Sequence, residues 1–173
     1  MKKYIGKVKR GFVRETVCVN TTVVLVCAIV CACLGFIFAI GGVDREVYAE
    51  IAQPKFYFPP FAMIILQLIF YALFGAAAGI IISTPYCRRG YGKLTSLALA
   101  ACTLFLCFTW IPLVYTASAF FIAFFVCLII LAFCAAIFKL YYEINTVAAF
   151  AVLIFALFDF YLACYSMGLF ILN

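Results

Sequence analysis

Five long apolar stretches limit the structures that this sequence can form. They cover residues 17–42, 59–83, 94–115, 117–138 and 146–172. Each one approaches or exceeds the roughly 20 residues that an α-helix needs to cross the hydrocarbon core of a bilayer. Strand-like alternation of apolar and polar residues is absent from the sequence, which argues against a β-barrel. The pattern therefore predicts an all-α integral membrane protein, a bundle of five transmembrane helices.

The composition of the chain excludes an ordinary soluble domain. Hydrophobic residues make up 71% of the 173 residues, charged residues make up 10%, and histidine is absent. A soluble domain of this size would have to expose much of that apolar surface to water. No convincing internal repeat suggests the inverted halves of a secondary transporter. We therefore expect one transmembrane domain that covers residues 1–173.

The distribution of lysine and arginine predicts an orientation. If the N-terminus is cytoplasmic, the inner segments carry ten of the twelve basic residues and the outer segments carry only Arg45 and Lys55. Positive charge accumulates on the cytoplasmic side, so we expect the N-terminus inside the cell and the C-terminus outside. The first apolar stretch is longer than the core of a secretory signal, which favours a retained anchor in the cell membrane. The net charge of +6 lies mostly in the N-terminal tail, where it favours anionic lipid headgroups and gives no indication of nucleic-acid binding.

The longest predicted outer loop, residues 41–58, contains a candidate short helix. Asp44 is suited to cap it, and its apolar residues fall on one face: Val47, Tyr48 and Ile51. This face either packs across the outer mouth of the bundle as a lid over a cavity or lies flat on the membrane. The glycines before the helix and Pro54 after it define a turn–helix–turn, which favours the lid.

Asp159 is a lone carboxylate within the fifth apolar stretch. Burying an unpaired carboxylate in hydrocarbon costs considerable free energy, so such a residue usually faces a bundle interior or a cavity. Ser166 lies two turns away on the same face, and Ala163 between them indicates close helix packing. Asp159 is therefore either a functional residue or the partner in a buried structural hydrogen bond.

Two further helix features point to packing. Gly75 and Gly79 form a GxxxG pattern in the second stretch, which lets another helix approach closely. This surface serves either the bundle itself or a homodimer. In the third stretch Trp110 is the only tryptophan of the chain and shares a face with Cys107. Trp110 lies deeper than an interfacial anchor usually does, so we expect it to line a pocket.

The cysteines and the other reactive residues form no recognisable metal or catalytic site. Most of the ten cysteines fall inside the apolar stretches, among them Cys27, Cys31, Cys33, Cys102, Cys107, Cys127, Cys134 and Cys164. There is no histidine and no paired CxxC, so we predict no metal site and treat these residues as small polarizable apolar groups. No catalytic constellation is present either, and we do not expect an enzyme.

Two segments give the chain a resemblance to a known family. Residues 54–60 (PKFYFPP), followed by Tyr71 and Gly75, are similar to the start of the second helix in the TspO/MBR family, the tryptophan-rich sensory or translocator proteins. That family has a Lys-Pro-x-Trp-x-Pro-Pro pattern there. Residues 106–113 (LCFTWIPL) resemble the Leu-Asn-x-x-Trp-x-Pro-Leu signature of its third helix. The resemblance implies a five-helix bundle, often dimeric, with a pocket under the first loop for porphyrins, haem or other apolar molecules.

The chain departs from the family pattern at several positions. One extra residue separates Pro54 from the double proline. Other residues replace characteristic family residues: Gln53 for Lys, Phe56 and Gln67 for Trp, Cys107 for Asn, Ile154 for Pro, Phe155 for Tyr, Phe158 for Trp and Ser166 for Asn. Porphyrin breakdown in some members is attributed to the tryptophans at the positions of Gln67 and Phe158. Their absence is a second reason to expect no catalysis here.

The resemblance also implies a set of site residues. The pocket would be lined by Gln67, Tyr71, Cys107, Trp110, Phe158 and Leu162, to which we add Asp159 as a feature of this chain alone. The lid and rim would hold Arg45, Tyr48, Ile51, Pro54, Lys55, Phe56 and Pro59. Aromatic faces suit the ring of a porphyrin, and the cations of the loop suit its carboxylates. No cofactor is expected beyond such a ligand.

Three functions remain open at this point. The first is a membrane receptor or carrier for porphyrin, haem or a similar apolar molecule, in a homodimer within the lipid bilayer. The second is a non-enzymatic scaffold protein with a vestigial pocket, whose Gly75 face binds partners. The third is a proton-linked exporter that uses Asp159, although the chain lacks the repeats and the larger helix number usual for secondary transporters.

Overall fold

The computed structural model describes residues 19–43, 50–55, 58–84 and 90–173. These segments contain five α-helices and no strand: α1 (Thr21–Gly41), α2 (Pro60–Ser83), α3 (Gly90–Tyr115), α4 (Phe120–Ile144) and α5 (Thr146–Leu172). Each helix is long and apolar enough to cross a membrane. The structure thus confirms the predicted all-α fold with five spans. The predicted short helix of the first loop falls mainly on residues 44–49, outside the described residues.

Asparagine side chains cap the N-termini of two helices. The Asn20 side chain accepts a hydrogen bond from the backbone N–H of Thr22 at 3.1 Å, before α1. Asn145 alone connects α4 to α5, and its Oδ1 accepts from the N–H groups of Val147 at 2.9 Å and Ala148 at 3.2 Å. These acceptors satisfy N–H groups that have no partner within their own helix. The connection between α4 and α5 is therefore too short to allow anything but antiparallel packing.

The fourth helix is longer than the sequence predicted. We placed its end at Phe138, where the apolar stretch meets Lys139, but α4 continues to Ile144. The helix continues because its backbone hydrogen bonds do not require apolar side chains. Lys139 points outward while Ile137 and Tyr141 remain buried.

The five helices pack in a ring in the order α1, α2, α5, α4 and α3, and α3 closes the ring by contacting α1. Side chains from these helices fill the interior in two clusters. The loop-end cluster lies at the end of the bundle that carries residues 50–55, and it includes Ile51, Trp110, Tyr115, Phe158 and Tyr165. The far-end cluster lies toward Asn145, and it includes Phe74, Ala77, Ile137, Tyr141 and Ala149.

The GxxxG pattern of α2 packs against α1 of the same chain. A Cβ atom at Gly75 would lie 2.6 Å from the carbonyl oxygen of Cys27, and one at Gly79 would lie 2.7 Å from the Cα of Val24. Real Cβ atoms do not approach other atoms so closely, so only glycine permits this helix spacing. Of the two uses that the sequence left open, the structure assigns this face to the bundle.

Candidate functional site

The seven residues predicted to bind a ligand are all buried, each at most 7% exposed: Gln67, Tyr71, Cys107, Trp110, Phe158, Asp159 and Leu162. They come from α2, α3 and α5, and they lie where the loop-end and far-end clusters meet. The ring order of the helices explains this arrangement, because one face of each helix points into the interior. The structure therefore brings the predicted set together in the core of the bundle.

The side chain of Trp110 extends through the interior of the bundle and links α3 to α5. Its indole N–H donates a hydrogen bond to the hydroxyl oxygen of Ser166 at 3.0 Å, and Ser166 donates to the carbonyl oxygen of Leu162 at 2.9 Å. The indole also packs edge-on against Tyr115, with ring centroids 6.0 Å apart. Trp110 is therefore an interior residue and not an interfacial anchor. Ser166 was not among the predicted site residues, although its position two turns from Asp159 was the signal that could have indicated it.

Tyr71 connects α2 to α1 and α3. Its hydroxyl donates a hydrogen bond to the carbonyl oxygen of Cys107 at 3.2 Å. The ring lies against Gly35, where any Cβ atom would overlap it, and it meets Phe108 edge-on at 5.4 Å. Tyr71 is thus held firmly by three helices, and its hydroxyl hydrogen already has an acceptor.

A row of aromatic rings leads from the middle of the bundle toward the loop end. Phe70 stacks on Phe158 with centroids 4.2 Å apart and planes 7° from parallel. Phe158 stacks on Tyr161 at 6.2 Å, and Tyr161 stacks on Tyr165 at 6.3 Å. Such offset stacks present flat apolar faces. Phe70, Tyr161 and Tyr165 were not predicted, because an aromatic residue in an apolar span carries no signal that separates a pocket from the lipid face.

Asp159 and Gln67 each contain a buried polar atom without a partner. Oδ2 of Asp159 and Nε2 of Gln67 form no hydrogen bond with any of the described residues. The side chains of Tyr71, Cys107 and Cys127 lie within electrostatic range of Asp159, and none of them carries a positive charge. A buried polar atom without a partner costs about 1–3 kcal/mol. This arrangement favours the functional interpretation of Asp159 over a structural hydrogen bond.

Residues 50–55 pack across the loop end of the bundle. Ile51 and Pro54 are buried, and Ile51 belongs to the same cluster as Trp110. Lys55 and Pro59 are exposed. The described part of the loop thus covers the loop end of the bundle, and we call residues 50–55 the lid segment. The predicted rim residues Arg45, Tyr48 and Phe56 lie outside the described residues.

Two sets of hydrogen bonds fasten the lid segment to α5. The Tyr165 hydroxyl donates to Oε1 of Gln53 at 2.7 Å, and it lies 3.0 Å from the hydroxyl of Tyr115. At the C-terminal end of α5, Oδ1 of Asn173 accepts a hydrogen bond from the N–H of Ala52 at 2.9 Å, and Nδ2 of Asn173 donates one to the carbonyl oxygen of Ala52 at 3.1 Å. The amide side chain of Asn173 thus pairs with a backbone peptide as a neighbouring strand would.

An open groove of about 730 Å³ lies beside the lid segment, between it and the ends of α4 and α5. Its lining residues are Glu50, Ile51, Ser118, Ala119, Phe120, Phe121, Ile122, Phe170 and Asn173. None of the seven predicted ligand-binding residues lines this groove. Its floor nevertheless reaches the loop-end cluster, because Ile51 and Phe120 belong to both.

Comparison with known proteins identifies one family. The model of the TspO/MBR family matches residues 23–171, which is nearly the whole chain. No curated protein sequence matches the chain at a significant level. The family match includes all five helices and the lid segment.

Proposed function

The chain belongs to the TspO/MBR family, and from this premise we propose that it is a receptor or carrier that binds an apolar small molecule inside the helix bundle. The family and the five apolar helices make it an integral membrane protein of a sensory or transport family. One observation carries the finer proposal: seven residues from three helices, aromatic and polar together, are buried side by side beneath a fastened lid segment.

Porphyrin or haem is the first ligand that we propose. A porphyrin is a flat apolar disc with carboxylates at one edge, and it needs aromatic faces together with a few well-placed polar groups. Tyr71, Trp110 and Phe158 supply faces in the interior, and Lys55 supplies an exposed cation on the loop. The protein would therefore bind the disc in the core and the carboxylates near the loop. No cofactor is needed for this role.

The remaining parts of the proposal concern orientation and assembly. We place the protein in the cell membrane with its N-terminus in the cytoplasm, its C-terminus outside and the loop end outward, as the basic residues predict. Its partners are the lipid bilayer, its ligand and a second copy of itself, and not nucleic acid. The homodimer must use a surface other than Gly75 and Gly79, because α1 covers that face.

The same packing weakens the scaffold alternative. That alternative assumed that the Gly75 face of α2 was open to partner proteins, whereas α1 occupies it. Catalysis is also not part of the proposal, since Gln67 and Phe158 stand where family members associated with porphyrin breakdown have tryptophan. The exporter alternative retains one supporting observation, the unpartnered Oδ2 of Asp159. It requires pH-dependent uptake of a substrate that Asp159→Asn abolishes.

A fluorescence titration tests the binding proposal. Trp110 is the only indole in the chain, so protoporphyrin bound beside it should quench its emission in a saturable way with a micromolar midpoint. Loss of the ring stack in Phe158→Leu should weaken binding about twofold to tenfold, since one aromatic contact contributes about 0.5–1.5 kcal/mol.

Leu157→Ala is the matched control for this titration. Leu157 adjoins Phe158 in sequence but is 65% exposed on the outside of the bundle, so its loss should leave binding unchanged. Trp110→Phe supplies the signal of the ligand alone. Linear quenching without saturation in the wild-type protein would contradict the proposal.

A further inference from the structure

Two unpartnered polar atoms, Oδ2 of Asp159 and Nε2 of Gln67, lie close to one level of the bundle. Phe70 stacks on Phe158, and Phe74 packs against Phe155, so α2 and α5 run antiparallel in a fixed register. Gln67 lies one turn from Phe70 toward the loop end, and Asp159 directly follows Phe158. The two polar side chains are therefore within about one helical turn, roughly 5 Å, of each other along the bundle axis.

Both side chains also belong to faces that point into the interior. Tyr71 lies one turn from Gln67 on the same face of α2, and it is within electrostatic range of Asp159 on α5. Only 1% of Asp159 and 3% of Gln67 are exposed. A carboxylate oxygen and an amide N–H group are thus presented together inside the bundle, one as an acceptor and the other as a donor.

The neighbouring polar groups are already engaged with each other. The indole N–H of Trp110 donates to Ser166, Ser166 donates to Leu162, and Tyr71 donates to Cys107. These bonds leave Asp159 and Gln67 as the groups with unused hydrogen-bonding capacity among the described residues of this site.

No described cation lies near Asp159 to balance a negative charge. Lys55 is exposed on the lid segment, and Lys139 is exposed on α4. Lys93 donates hydrogen bonds to the carbonyl oxygens of Ile82 at 2.9 Å and Thr84 at 2.7 Å, at the end of α2. A buried carboxylate without a counter-ion is strongly disfavoured, so the group is stabilised either by taking up a proton or by pairing with a cation to form a neutral unit.

We infer that Asp159 and Gln67 form a subsite for a protonated amine, and that the ligand of this bundle is an apolar ring system carrying such a group. The ammonium donates to the Asp159 carboxylate in a charge-assisted hydrogen bond, and Gln67 donates to a carbonyl or ether oxygen beside it. The rings of Phe158 and Trp110 provide aromatic faces that attract a cation. The inference rests on the proposed function, because it requires a ligand inside the bundle.

The subsite selects against negative charge at the same position. A ligand carboxylate placed beside Asp159 would bring two like charges together in a medium of low dielectric constant, where their repulsion is strong. The carboxylates of a porphyrin would avoid this repulsion by lying at the loop end near Lys55. Selection for an amine at Asp159 is therefore a property separate from binding of an apolar disc.

Three probes with one ring system test the inference: anthracenylmethylamine, anthracenylmethanol and anthracene carboxylate. Anthracene absorbs where tryptophan emits, so energy transfer from Trp110 reports binding of each probe to the purified protein. We expect the amine to bind about tenfold more tightly than the alcohol, as a charge-assisted bond is about twice as strong as a neutral one. The carboxylate should bind more weakly than the alcohol.

Asp159→Asn should remove the preference while keeping the side-chain shape. The affinity for the amine should fall about tenfold, because the charge-assisted bond is lost, and the alcohol should bind as before. Asp159→Glu should retain part of the preference. Tyr141→Phe is the matched control, since the Tyr141 hydroxyl is also buried without a partner but lies in the far-end cluster. It should leave all three affinities unchanged.

The outcomes separate this inference from the proposed function. If no probe binds saturably, the amine subsite is wrong, and the protoporphyrin titration alone decides on the proposed function. If the three probes bind equally, or if Asp159→Asn leaves their ranking unchanged, ligand binding stands and the amine subsite alone is wrong. If Asp159→Asn does not yield folded protein, the ranking of amine, alcohol and carboxylate in the wild-type protein and in Asp159→Glu decides.

Discussion

Glycine contacts differ between the two ends of the bundle. Toward the far end, Gly79 of α2 lies against the backbone of α1, where an added Cβ atom would be 2.7 Å from the Cα of Val24. At the loop end, Gly42 meets α3 through the side chains of Ile111 and Pro112. Lipid provides little hydrophobic drive for helix association, so close contact between small residues matters more than in water. Backbone contact toward the far end therefore fixes the spacing of α1 and α2, whereas at the loop end Gly42 contacts α3 through side chains.

The hydrogen bonds of the polar side chains differ in the same way. Toward the far end, serine hydroxyls bond to backbone within a helix, as Ser83 does with Gly79 and Ser96 with Lys93, and the Lys93 ammonium bonds across to the end of α2. At the loop end they bond across the bundle or to the lid segment, as Trp110 does with Ser166 and Tyr165 with Gln53. Bonds within a helix leave the neighbouring helix unconstrained, whereas bonds across helices fix side chains in place. The side chains that are fixed in this way lie on the side of the bundle where our proposal places ligand binding.

The largest predicted effect is the disruption of the contact between α1 and α2 toward the far end. Gly79→Leu should lower the free energy of unfolding by about 3 kcal/mol or more, because the added side chain overpacks a full contact and meets the backbone of Val24, which cannot rotate away. Thermal unfolding in detergent, followed by helical circular dichroism, measures the change.

Gly41→Leu is the matched control for this change. A Cβ atom at Gly41, also in a helix, would have no neighbour within 4 Å, so its unfolding should stay close to wild type. If Gly79→Leu unfolds at the same temperature as Gly41→Leu, α1 does not pack on the GxxxG face and the far end does not set the helix spacing.

The sequence predicted the features that depend on length and composition. Five spans followed from apolar stretches of sufficient length. The helix α4 continues beyond the predicted span end at Phe138, because the length of an apolar stretch measures lipid contact and not helix continuation. Sequence could not assign the Gly75 and Gly79 face to the bundle or to a dimer, since both partners would require the same small residues. Only the position of Cys27 and Val24 on α1 decides between them.

The candidate site shows the same division. The resemblance supplied six of the seven residues that the structure brings together, because a family motif carries three-dimensional information that periodicity lacks, and Asp159 was found from its charge within an apolar stretch. It did not supply Phe70, which stacks on Phe158 from a position with no motif. It gave Ser166 only as the replacement of a family asparagine, without its hydrogen bond to Trp110. It did not supply Asn173 either, since a polar residue after a helix gives no sign of which backbone it binds. These contacts depend on helix register, which a single sequence leaves undefined.

A second, smaller predicted effect tests whether hydrogen bonds hold the lid segment against the loop end of the bundle. Tyr165→Phe removes the hydroxyl that lies 2.7 Å from Gln53 and 3.0 Å from Tyr115. We expect a loss of about 1–2 kcal/mol in unfolding free energy, because two buried polar groups lose a partner. Hydrogen exchange should also quicken in residues 50–55.

The matched control for this variant is Tyr142→Phe. Tyr142 is an exposed tyrosine of α4 near the far end. Loss of its hydroxyl should change neither the free energy of unfolding nor the hydrogen exchange of residues 50–55. Exchange in residues 50–55 that stays as slow in Tyr165→Phe as in Tyr142→Phe would mean that the aromatic hydroxyls do not hold the lid segment.

The smallest effect concerns Asn173, which binds both backbone groups of Ala52 at the exposed edge of the lid segment. Asn173→Ala should cost about 0.5–1 kcal/mol, since water replaces bonds lost at an exposed site. The change should appear as faster exchange in residues 50–55 with an unchanged melting temperature, because exposed segments open locally without global unfolding. Asn173→Asp keeps the acceptor for the Ala52 N–H and should fall between Asn173→Ala and wild type. Local opening at constant global stability would mean that the lid moves independently of the helices, as ligand entry at the loop end requires. A fall in melting temperature equal to that of Tyr165→Phe would mean instead that the lid and the bundle unfold together.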